Sequence, residues 1–220
     1  MNNINENIYS RQLYVYGEKY QKKISETKIF ISGIGGLGVE IAKNLILSGV
    51  KSVMLHDICD TTIYDLSSQY YLSYNDLKKN RAVMSRDKLS ELNSNVEVYV
   101  STIELVEDLI KNYDIVILTD SLLEEQLDIN NICRNNNIYF ISAITRGLIG
   151  KIFCDFGENY MIEDIDGKEI NKCYINYITK EGLIVCSEYT KHNIINEGYI
   201  IIYDIIGIDN LKEYKVNVIN

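Results

Sequence analysis

Residues 28–49 read KIFISGIGGLGVEIAKNLILSG, and no other stretch limits the possible fold as tightly. The apolar run Ile29, Phe30 and Ile31 predicts a buried strand, Gly33, Gly35, Gly36 and Gly38 a tight turn, and residues 39–47 a helix with an apolar face. Strand, glycine turn and helix in that order make the opening βα unit of a parallel sheet. Two uses of such a turn stay open. Absent side chains and unpaired N–H groups at the helix start suit a phosphate. The same glycines also suit close packing of helix on strand and nothing more. Asp57 ends a second strand predicted over 52–56, about 20 residues past the turn, where a carboxylate can accept from ribose hydroxyls.

The alternation continues along the chain. Residues 1–7 are polar and expected to be loose, and a helix is predicted from Ser10 up to the first strand, with Arg11 exposed near its start. Residues 58–82 form a connection too long for a plain crossover, and long loops on a rigid scaffold often carry function. A helix follows over 80–92 with Val83, Leu89 and Leu92 on one face, then a strand over 96–100 and a short helix over 105–111. An apolar strand over 114–118 ends in Thr119 and Asp120, and a helix over 123–136 precedes a strand over 138–144. This spacing predicts a doubly wound, Rossmann-like α/β sheet, whose ligands sit beyond the carboxyl ends of the strands. Gly33 to Gly38, Asp57 and Asp120 should therefore meet at one edge. After Thr145 to Gly147 the helical period ends. Short β-rich runs at 148–155, 160–163, 172–178, 183–186, 199–206 and 214–218 predict an appended small antiparallel β-barrel. The chain stops inside the strand-like run KVNVIN, as a cut fragment does.

A length of 220 residues suits one α/β domain with something small attached. Net charge of −9 and a pI near 4.8 argue against a nucleic-acid partner. No apolar run approaches the roughly 18 residues of a membrane span, and MNNINENIYS has no signal-peptide core, so the expected setting is cytoplasm and nucleus. Five cysteines are scattered without a CxxC, and only His56 and His192 could join them, so neither a metal site nor a disulfide framework has its spacing. Each thiol reads as a small packed side chain.

The segments YSRQLYVYG at 9–17, GIGGLGVEIAKNLILSGVKS at 33–52, DLSSQYYLS at 65–73, NRA at 80–82, FISAITRGLIGKIFCDFGE at 140–158 and KHN at 191–193 resemble the N-terminal part of the ubiquitin-activating enzymes, which are ThiF-like. The resemblance covers nearly the whole chain. In that family two adenylation halves pair and only one hydrolyses ATP. The resemblance is to the inactive half, residues 1–155, followed over 156–220 by the first catalytic-cysteine half-domain, which despite its name does not carry the catalytic cysteine. The active half's loop reads like NxNRQF, and a later lysine contacts phosphate. Here the matching positions are Asp65, Ser67, Ser68, Gln69 and Tyr70, with Arg81 near the lysine position, so the phosphate-binding arginine is missing.

What the resemblance implies is a vestigial nucleotide site at Gly33, Gly35, Gly36, Gly38, Asp57 and Asp120, the last at the position of the active half's magnesium carboxylate. ATP and magnesium would fall mainly to the active half. Arg11 would reach across to that ATP as an arginine finger. Lys191 and His192, at the family's RHGxE stretch, would touch ubiquitin. Implied partners are ubiquitin, the active half of the same chain and, through other domains, a ubiquitin-conjugating enzyme. Alternatives are the regulatory subunit of a related heterodimer, a binding module without chemistry, and an NAD-dependent oxidoreductase, for which GIGGLG and Asp57 alone speak.

Overall fold

A computed structural model describes residues 6–162, 172–187, 189, 192–194, 196–205 and 212–219, and the chain divides into two units, Met1–Met161 and Ile162–Asn220. In the first unit α1 (Glu6–Glu26) leads to β1 (Lys28–Ser32), α2 (Gly36–Ser48), β2 (Ser52–His56), α3 (Arg81–Ser90) and β3 (Glu97–Ser101). Then come α4 (Glu107–Ile110), β4 (Ile115–Leu118), α5 (Leu123–Asn135), β5 (Tyr139–Arg146) and β6 (Ile149–Asp155). The strands lie in the order β3-β2-β1-β4-β5-β6, with β6 antiparallel and the rest parallel. Strand order therefore reverses between β1 and β4, the switch point at which a doubly wound sheet opens a crevice.

Both faces of the central strands β1, β2 and β4 are covered, which is why these read as apolar runs, whereas β6 at the edge is exposed. Alternation along each strand sends Ile29, Ile31, Val53, Leu55 and Ile117 into a core with Val39, Ala42, Ile46 and Leu89. Phe30, Val116, Leu118 and Phe140 point the other way, onto Ile110, Ile129 and Cys133.

Several details depart from the sequence expectations. α1 begins at Glu6 and leaves helical geometry at Tyr9 (φ −103°, ψ 15°) and Gly17 (φ 79°, ψ 165°). Tyr9 is buried, and its hydroxyl accepts from Asn93 Nδ2 at 2.9 Å, which anchors the start of α1. In α3, Leu89 is buried but Val83 is exposed, as is Leu92 beyond the helix end; the inner face is Arg81, Ala82, Ser85 and Leu89, made possible because its polar members are hydrogen-bonded. α4 is a single turn. β6 belongs to the main sheet as its antiparallel edge, turning back at Gly147 (φ 59°).

In the second unit β7 (Ile175–Ile178) pairs antiparallel with β8 (Ile184–Cys186), and β9 (Gly198–Ile201) with β10 (Glu213–Val216). Among the described residues these are two separate two-stranded sheets and not a closed barrel. The strand expected near Tyr160 is not formed over its described residues; Tyr160 packs its ring against Tyr139 and Phe156 instead.

Candidate functional site

The carboxyl ends of β1, β2 and β4 border one crevice, and an arginine fills it. Asn80 caps α3: its Oδ1 accepts from the N–H groups of Ala82 at 3.0 Å and Val83 at 3.1 Å, while its Nδ2 donates to the Asp57 carbonyl at 2.6 Å. That double hold places Arg81, the first residue of α3, over the glycine turn. Arg81 Nε donates to Asp57 Oδ2 at 2.9 Å and Nη2 to Asp57 Oδ1 at 3.2 Å. Nη1 donates to Asp65 Oδ1 at 3.0 Å, and Nη2 also reaches Asp120 Oδ2 at 3.3 Å. Asp57 is buried, and Asp120, 53% exposed, stands at the rim.

One cation thus serves three carboxylates. Burial by itself lowers the Arg81 pKa, but the hydrogen bonds and charge of Asp57, then those of Asp65, outweigh it and hold the guanidinium above its ordinary value. Burial likewise pushes the Asp65 carboxyl up, and the N–H and hydroxyl of Thr62 together with Arg81 reverse that, leaving it below the usual carboxylate range.

The turn is equally occupied by the chain's own atoms. Asp57 Oδ2 also accepts from Ile34 N at 2.7 Å and Oδ1 from Cys59 N at 2.8 Å, so both oxygens of this carboxylate are engaged. A Cβ at Gly35 would stand 3.5 Å from Arg81 Nη1, and one at Gly36 would stand 2.8 Å from Ser68 Oγ. The loop carrying Ser68 is held down by buried Gln69, whose Nε2 donates to Ser85 Oγ at 2.7 Å and whose Oε1 accepts from Tyr71 N at 2.7 Å. Gly33 and Gly38 meet in the turn itself: a Cβ at Gly38 would lie 1.8 Å from the Gly33 carbonyl oxygen.

Of the residues singled out in the sequence, Gly33, Gly35, Gly36, Gly38, Asp57 and Asp120 meet at this crevice. Arg11 is exposed on α1 and takes no part in the Arg81 cluster. Lys191 lies outside the described residues. His192 is half-buried, and its Nδ1 accepts from Ile194 N at 3.0 Å. His56 is a satisfied core side chain, with Nδ1 on the Ser32 hydroxyl at 2.8 Å and Nε2 donating to the Ile103 carbonyl at 2.7 Å. Arg81 and Asp65 are the central residues of the cluster; by resemblance they align with the active half's lysine and loop positions but were not counted among the site residues expected from sequence. The available signal was Asn80 as an N-cap, since the residue after a cap has a fixed direction.

Residues 9–191 match the ThiF family. The chain belongs to that family. It is 42% identical over 211 residues to ubiquitin-like modifier-activating enzyme 1 of Rattus norvegicus, covering 95% of this chain and 20% of that protein. To ubiquitin-activating enzyme E1 1 of Schizosaccharomyces pombe it is 44% identical over 212 residues, 96% of this chain and 21% of the other. This ThiF-family chain therefore spans about one-fifth of the length of these curated relatives. A crystal structure of E. coli MccB with succinimide shares the fold, with a TM-score of 0.57 at 24% identity over 64% of this chain and 45% of that one.

Proposed function

We propose that this chain is the helper lobe of a ubiquitin-activating enzyme, with residues 1–155 an inactive adenylation domain and residues 156–220 part of the first catalytic-cysteine half-domain. The observation that carries this reading is the Arg81 guanidinium at the switch-point crevice, bound to Asp57, Asp65 and Asp120. A magnesium nucleotide does not fit these residues. Asp57 has no oxygen left for a ribose, the Ile34 N–H is already given to it, and a metal ion at Asp120 would stand against the charge of Arg81.

What the lobe contributes is lent to others. Arg11, exposed on α1, is the arginine finger for ATP bound in the active half. A planar, permanently charged guanidinium suits bidentate contact with phosphate and stabilises the charge that develops on leaving pyrophosphate. Lys191 and His192 belong to the surface that meets ubiquitin. ATP and magnesium are held by the active half, and a ubiquitin-conjugating enzyme binds through other domains.

Two measurements test this reading. In the full-length parent enzyme, Arg11→Ala slows ATP–pyrophosphate exchange at least about tenfold, a discounted figure for a finger of this kind. Its melting temperature barely moves, since an exposed charge is worth about 0–1 kcal/mol. Wild-type exchange in that variant removes the finger. Calorimetric titration of the 220-residue chain with magnesium ATP gives no saturable heat; a saturable isotherm abolished by Asp120→Ala would place a working nucleotide site in the crevice.

A further inference from the structure

In the second unit β7 and β8 form a closed hairpin. Thr179 N donates to the Leu183 carbonyl at 2.9 Å and Gly182 N to the Thr179 carbonyl at 3.1 Å across the turn, while Ser187 N donates to the Tyr174 carbonyl at 2.8 Å at the open end. Ile175 stands opposite Cys186 in the ladder. Cys173, two residues before Ile175, is thus a diagonal neighbour of Cys186, and the two sulfurs lie 3.6 Å apart. Both side chains are half-buried thiols, reached by a small solute yet held by the hairpin. The other cysteines differ. Cys133 is buried, and burial pushes its thiol up to about 12. Cys59 and Cys154 are exposed, and neither has another cysteine as a hydrogen-bond partner among the described residues.

We propose that Cys173 and Cys186 are a peroxide-oxidisable dithiol that closes to an intramolecular disulfide across the β7–β8 hairpin. The sulfurs need to approach from 3.6 Å to about 2.05 Å, which side-chain torsion supplies because the bond from Ser187 N to the Tyr174 carbonyl already holds the open end of the hairpin together. Burial first, and then the hydrogen bond with Cys186, holds the Cys173 thiol above its ordinary value. One thiol of the pair, on losing its proton, attacks one oxygen of hydrogen peroxide, the O–O bond breaks, and water leaves as the sulfenic acid forms. The other thiol then attacks that sulfur: the S–S bond forms, the S–O bond breaks, and a second water carries off the hydroxyl and the thiol proton. Two thiols and one peroxide give one disulfide and two waters, the sulfurs losing the two electrons that the peroxide gains.

The experiment uses the whole chain. After treatment with a modest excess of hydrogen peroxide, the thiols counted with a colorimetric disulfide reagent in denaturant fall from five to three and return to five with dithiothreitol. Tryptic mapping finds peptide 173–180 joined to peptide 181–191. Lys180 is exposed in the turn, and its cleavage by trypsin in the folded, oxidised protein is at least about tenfold slower than in the reduced protein, because the crosslink suppresses opening of the hairpin. In Cys173→Ser, oxidation halts at a sulfenic acid on Cys186 that dimedone traps. Persistence of five thiols, oxidation falling first on Cys59 or Cys154, or crosslinks that join separate chains would each overturn the proposal.

Discussion

Arg81 is the side chain whose loss the first unit should feel most. Removing it leaves the buried Asp57 carboxylate without its counterion, a situation that costs about 3–5 kcal/mol, so Arg81→Ala should show a correspondingly lower denaturant midpoint. Arg81→Lys should recover only part of that, because a single ammonium cannot serve both Asp57 oxygens and Asp65 as the guanidinium fork does. Asp155 offers a test by pH. The Arg134 hydrogen bonds, helped by Asn130 and the Gly157 N–H, hold its carboxyl down to about 2 against an ordinary value of 3.8. A depressed carboxyl favours the folded state above its unfolded value, so this contribution is intact above pH 3.8 and is lost as pH falls towards about 2. Arg134→Ala should bring the Asp155 carboxyl back towards 3.8 in an NMR titration and move the onset of acid unfolding to higher pH.

At the scale of elements, two glycines should fail for different reasons. Gly17 breaks α1 at φ 79°, and a Cβ there would meet no atom within 4 Å, so Gly17→Ala should cost about 1–3 kcal/mol through backbone strain alone. Gly38 lies in α2, and a Cβ there would be 1.8 Å from the Gly33 carbonyl oxygen, so Gly38→Ala should cost about 1–3 kcal/mol or more through displacement of the turn. Thermal unfolding reads both. A smaller perturbation by Gly38→Ala than by Gly17→Ala would show that the turn can relax. Elements were legible where an apolar run marks them: the strand predicted over 52–56 is β2 to the residue, with Val53, Met54 and Leu55 unbroken between Ser52 and His56. The inner face of α3 was not, because Arg81 and Ser85 point inward on the strength of tertiary partners that no local period announces. Of the β-rich runs after Gly147 all but that at 160–163 contain a strand among the described residues, yet β6 joined the main sheet, since pairing partners depend on where Arg146 and Ile149 turn back on one another.

For the whole chain, the doubly wound order and the gathering of Gly33 to Gly38, Asp57 and Asp120 at one edge followed from topology, because a parallel sheet with crossover helices leaves few arrangements. What fills that edge did not. Arg81 and Asp65 meet only after the residues between β2 and α3 fold back, with Gln69 pinned to Ser85 and Ser68 laid on Gly36, and contacts of that span are set by the assembled core. The same enclosure has an outcome for handling the protein. A lobe whose balancing charge is part of its own polypeptide gives nothing up on dialysis, and its melting point should read the same in solutions stripped of small molecules as in solutions saturated with nucleotide, where a true binder would climb with the logarithm of ligand supply.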